Sequence, residues 1–196
     1  MGLYAPGTAP GLAVVGCLAS GARLKMNTPP DENAIPEGGR DFSKPFQTRL
    51  MLNAPCFHLA FPVTDLEATR RFYVDGLGCT PGRTSERALI LNFFGHQLVA
   101  HLVYEPPPPQ TGIYPRHFGM VFPTETAWAE VAARAKAQGL RFRHLPRVRF
   151  PGEPTEHRTF FLEDPSGNLL EFKHYTNPEA VFGCAELPEV GDDTDR

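Results

Sequence analysis

"CFHLAFPVTDLEATRRFYVDGLG", residues 56–78, reads as a strand running into a helix. The apolar run 56–63 has β character. Thr64 with Glu67 three residues on makes a capping box. Leu66, Arg70 and Tyr73 follow at helical spacing, and Gly76 and Gly78 end the segment. Three short strands are expected next, around 79–85, 88–94 and 97–104, with Gly95-His96 as the last tight turn. "EPPPPQTG" (105–112) is then a stiff, extended link.

The same order recurs in "RHFGMVFPTETAWAEVAARAKAQG" (116–139). A strand at 116–122 leads into an Ala-rich helix at 123–139, with Pro123 and Thr124 near its start and Gly139 at its end. Strands at 140–149, 157–163 and 168–175 complete the unit. The chain therefore reads βαβββ, Pro-rich link, βαβββ, an α+β pattern. A repeat of whole units is a fold-level signal. His58 and His117 hold the same place in the first strand of each unit.

The 196 residues are 41% hydrophobic, enough for one packed domain. A net charge of −3 offers no electrostatic case for nucleic acid or an anionic membrane. No apolar run reaches transmembrane length. Cys17, Cys56, Cys79 and Cys184 form no CxxC pair and read as free thiols of a reducing, cytoplasmic compartment. Residues 1–53 read as an irregular N-terminal extension, with a plastid-type transit segment as the other reading. The domain proper is expected at 54–176, with modules 54–104 and 115–176 around the link 105–114. Residues 177–196 read as a C-terminal tail.

Glu171, in "DPSGNLLEFKHY" (164–175), sits in a strand otherwise bounded by Leu169, Leu170 and Phe172. A buried carboxylate without a partner costs several kcal/mol or loses its charge. If the two modules pack about a pseudo-twofold axis, His58 and His117 converge and Glu171 joins them. Two imidazoles and one carboxylate on one side of a metal form a facial triad with three open positions. A divalent cation also supplies the charge that Glu171 needs.

"FHLAFPVTDLEATRRFYVDGLGC", "RHFGMVF" and "FFLEDPSGNLLEF" resemble the vicinal oxygen chelate superfamily, which includes glyoxalase I, extradiol dioxygenases and bleomycin- and fosfomycin-resistance proteins. The resemblance spans roughly residues 55–176. With "NFFGHQLVAHL" (92–102) it is nearest to predicted extradiol-type dioxygenase-like proteins. It implies two βαβββ modules as curved sheets, a cupped and partly open barrel around one metal ion. Carried over residue by residue, it makes His58, His117 and Glu171 the ligands. It implies a metal-dependent oxidoreductase, a dioxygenase with Fe(II), on a small substrate with vicinal oxygens. Similar sites take Mn, Zn, Ni or Co. A glyoxalase-like isomerase or lyase and a non-catalytic ligand-binding protein are the other readings. A homodimer fits the resemblance, and the modules could pair within one chain or swap between two.

His101 lies near the place where glyoxalase I uses a glutamate ligand. Alternation puts Gln97, Val99 and His101 on one face, so His101 is expected as a fourth ligand or an acid/base. Two positions depart from the ring-cleaving signature. Phe161 stands where it has Tyr, and 152–154 read Gly-Glu-Pro where it has His. Proton handling would then fall to His101, His157, Tyr104 or Tyr175. The basic run 141–150 suits an anionic substrate or a solvated strand face.

Overall fold

A computed structural model describes residues 55–187 and 190–191. The expectations for residues 1–53 lie outside the described residues. Among the described residues, eight strands form two separate four-stranded sheets. Sheet A contains β1 (His58–Val63), β2 (Thr80–Thr84), β3 (Ala88–Phe93) and β4 (His96–Leu102) in the order β1-β4-β3-β2. Sheet B contains β5 (Phe118–Val121), β6 (Phe142–Arg149), β7 (His157–Glu163) and β8 (Leu169–Tyr175) in the order β5-β8-β7-β6. In each, the first strand pairs in parallel with the last. The repeat read from the sequence is thus an α+β fold of two like modules, and the sheets do not close into a barrel.

The helices α1 (Leu66–Arg70) and α2 (Glu125–Ala137) cross between the first and second strands of their modules. The cap of α1 differs from the expected box. Asp65 is the N-cap, and its carboxylate accepts from the backbone N–H of Glu67 and Ala68. Thr64 instead donates its backbone N–H to Ser166 Oγ at 3.0 Å, across to the other module. Beyond α1 the chain continues as a wider π-type turn, Arg71–Gly76. Helix α2 starts at Thr124, whose hydroxyl caps Ala127 N–H. Trp128, Val131, Ala132 and Ala135 bury one face of it, the spacing of an amphipathic helix. The β3–β4 turn is Phe94-Gly95, one residue earlier than expected. Both have positive φ, 52° and 95°, as a two-residue hairpin that follows the strand twist requires.

Strand alternation decides which side chains enter the core. Leu89, Leu91, Phe93, Leu98 and Ala100 of sheet A share one apolar cluster with Phe160, Leu162, Leu170 and Phe172 of sheet B, together with α2. Phe93 lies 6.1 Å from Phe172 and 6.5 Å from Phe118, centroid to centroid. The apolar sides of both sheets therefore contribute to one core, in which Tyr73 and α2 also pack. On its other face, sheet A exposes His58 and Ala60, whereas sheet B buries Thr159, Phe161 and Glu171.

Candidate metal centre

Phe160, Leu170 and Phe172 are in the core, so their neighbours Phe161 and Glu171 lie on the outer face of sheet B. Glu171 is nonetheless only 6% exposed. What covers it is polar. His117 Nε2 stands 3.2 Å from Glu171 Oε2. Lys173 Nζ reaches the same oxygen at 3.1 Å. Thr159 Oγ1 donates to Oε1 at 2.8 Å. A small apolar cluster of Ile113, Phe161 and Leu169 closes one side. A cleft of about 270 Å³ opens on the other, lined by His117, Gly119, Val121, Glu171 and Lys173 among others.

Electrostatics follow from these contacts. Burial alone would push the Glu171 carboxyl up. The hydrogen bond from His117, the charge of Lys173 and the Thr159 hydroxyl outweigh it and hold the group at about 2. The bond to Glu171 raises the pKa of His117.

The two imidazoles are held in the same way. His117 Nδ1 donates to the Ile113 carbonyl at 2.9 Å. His58 Nδ1 donates to Gln97 Oε1 at 2.8 Å. A carbonyl oxygen only accepts, so Nδ1 carries a proton in each ring and Nε2 is the nitrogen open to a ligand bond, in His117 once it gives up the proton it donates to Glu171. Two ligands at about 2.1 Å and right angles on a metal stand about 3.0 Å apart. The 3.2 Å between His117 Nε2 and Glu171 Oε2 matches that bite. The donor set fits a divalent ion, with Lys173 competing for one oxygen.

One chain assembles two of the three expected ligands. Among the described residues, no group of three or more His, Cys, Asp or Glu could hold a metal ion. The reason is topological. His58 begins β1 in sheet A, exposed beside Ala60, whereas His117 and Glu171 belong to the module of sheet B.

The two registers also relocate the expected fourth position. Gly119, two residues after His117, pairs with Glu171. Ala60, two residues after His58, pairs with Val99. Val99 is therefore the match of Glu171. His101 pairs with Pro62 and so matches Lys173, which pairs with Val121. It is exposed at the far end of β4, four residues along the strand from Gln97, the partner of His58. The structure does not bring it to either histidine.

Four participants escaped sequence reasoning. Lys173 follows Glu171 by two on one strand, so alternation could have found it. Thr159 and the Ile113 carbonyl needed the register and the loop path. Gly119 lies where a Cβ would overlap the Glu171 carbonyl oxygen.

Residues 56–172 match the sequence profile described as the Glyoxalase/Bleomycin resistance protein/Dioxygenase superfamily. A search of curated sequences gives no match. Among solved structures, a glyoxalase/bleomycin resistance protein/dioxygenase from Alicyclobacillus acidocaldarius is 42% identical, with a TM-score of 0.62. The alignment covers 65% of this chain and 96% of that one. The genomically encoded fosfomycin resistance protein FosX from Listeria monocytogenes is similar in fold, at 19% identity and a TM-score of 0.51. That alignment covers 65% of this chain and 98% of the other.

Proposed function

This chain belongs to the glyoxalase/bleomycin resistance protein/dioxygenase superfamily, and on that premise we propose that it is a metal-dependent oxygenase of the extradiol type. Its substrate is a small molecule that chelates through vicinal oxygens. The observation that carries this reading is Val99 at the place matching Glu171. With an apolar side chain there, His58, His117 and Glu171 are the complete ligand set. Fe(II) or a similar divalent ion held there would supply a Lewis-acidic centre for the vicinal oxygens of the substrate.

The protein residues have separate duties. Gln97 and the Ile113 carbonyl set the ring orientation of His58 and His117. Thr159 orients Glu171. The cluster of Ile113, Phe161 and Leu169 excludes water from one side. A second copy of the chain supplies His58. Two copies about a twofold axis bring His58 of one to the His117–Glu171 pair of the other, which completes two equivalent sites.

Phe161 and the Gly-Glu-Pro at 152–154 favour a second reading, isomerase or lyase chemistry at the same open site without O2. Mixing His58→Ala and Glu171→Ala proteins tests the site. Neither variant binds Co(II) with a ligand-field spectrum, and the mixture regains one native site per mixed dimer. A native spectrum in either single variant, or no recovery on mixing, overturns the shared site. O2 consumption with Fe(II)-loaded protein and catecholic substrates separates oxygenase from isomerase or lyase.

A further inference from the structure

One cation in the cleft beside Glu171 takes no part in holding the metal. Lys173 is the one lysine or arginine among the described residues that line this cleft. Its ammonium stands 3.1 Å from Glu171 Oε2, the oxygen that His117 Nε2 meets at 3.2 Å. Thr159 takes the other oxygen, Oε1, at 2.8 Å. The Lys173 side chain is 25% exposed, so its charge is held within the cleft rather than in bulk water. Glu171 and Lys173 are two residues apart on β8, about 7 Å along the strand.

In the metal-free protein this ammonium neutralises Glu171. Once Oε2 serves as a metal ligand, Lys173 shares that oxygen with a second cation. Like charges so close repel, and more strongly where water is sparse. A lysine stem is flexible, and the cleft of about 270 Å³ leaves the ammonium space to turn. The loaded cleft then sets a divalent ion and an ammonium against a single carboxylate, with neutral histidine ligands. Such a surplus of positive charge complements a substrate that carries a negative group beside its chelating oxygens.

We propose that Lys173 is the specificity-determining residue of this site. It holds Glu171 Oε2 in the metal-free protein, gives that oxygen up on metal binding, and then takes a carboxylate of the substrate. The substrate class narrows to small acids whose carboxylate lies a few bonds from the vicinal oxygens, as in 3,4-dihydroxybenzoate. This role rests on the reading of His117 and Glu171 as metal ligands.

Calorimetry compares the full-length protein with Lys173→Met, which keeps the side-chain length and loses the charge. Lys173→Met should bind Co(II) about tenfold more tightly, for want of the competing ammonium. The Co(II)-loaded proteins are then titrated anaerobically with 3,4-dihydroxybenzoate and with its neutral counterpart, 3,4-dihydroxybenzamide. The native protein should bind the acid about tenfold more tightly than the amide, and Lys173→Met should bind the two alike. Equal binding of acid and amide by the native protein overturns the role, a check that holds if Lys173→Met does not fold. An acid preference that survives in Lys173→Met, or a Co(II) affinity that does not rise, overturns it as well. Absence of Co(II) binding in both proteins sinks the metal reading, and this role with it.

Discussion

Val99 occupies in sheet A the register position that Glu171 occupies in sheet B. One module thus offers a carboxylate at this position and its repeat offers an isopropyl group. On the proposed function, this difference would limit the metal to three protein ligands. Replacing Val99 with Glu should add a fourth ligand, tighten divalent-metal binding and suppress O2 uptake. His101→Ala should leave metal stoichiometry unchanged. Calorimetric metal titration of both variants checks the pair of outcomes.

The His117–Glu171 pair makes metal-free stability depend on pH in two directions. Glu171 is held at about 2 against an ordinary 4.5, so its contribution is present above about 4.5 and is lost as pH falls towards 2. The full shift corresponds to about 3 kcal/mol. His117 is raised, so its contribution is present below its ordinary 6.5 and is lost as pH rises through the higher folded value. Urea denaturation in the presence of chelator should find the maximum between those limits. Glu171→Gln should flatten both limbs.

Gly119 pairs with Glu171 across β5 and β8, and any Cβ there overlaps the Glu171 carbonyl oxygen. Gly119→Ala must push the edge strand β5 away from β8. His117 precedes β5 directly, so the displacement separates His117 from Glu171. Metal binding should fall by about tenfold or more, while the melting temperature drops by only a few degrees, as for a defect at a sheet edge. Native-like metal affinity in this variant would show that β5 yields without cost.

The modules are also tied by a buried hydrogen bond. Tyr73 OH donates to Asp164 Oδ2 at 3.1 Å, and Asp164 Oδ1 accepts from Ser166 and Asn168 N–H at 2.8 Å each. Asn168 Nδ2 in turn donates to the Pro62 carbonyl at 2.9 Å. Tyr73→Phe removes one donor and should cost about 1–3 kcal/mol. Asp164→Ala strips the acceptor from the whole turn and should cost more. Urea midpoints of the two variants order the losses.

Much of the fold was legible because periodicity is local. The strand at 157–163 and helix α2 appear where the pattern put them, and the two modules repeat in the expected order. The cap of α1 was misread because Asp65 and Thr64 are both good caps, and Thr64 was drawn away by Ser166 in the other module. The Phe94-Gly95 turn hid behind a bulky residue in a conformation that such residues rarely adopt.

The sequence alone determined the chemical types at the centre: a carboxylate on a strand rich in Leu and Phe, and two histidines at like places in a repeat. Alternation along a strand needs only neighbours to be known. It did not determine which of these groups meet. That depends on register between distant strands, where one step of two residues exchanges His101 for Val99, and on which faces pack together. The tertiary structure turned both apolar faces inward against one core. Glu171 and His117 were thereby brought together beside sheet B, and His58 was left exposed on sheet A.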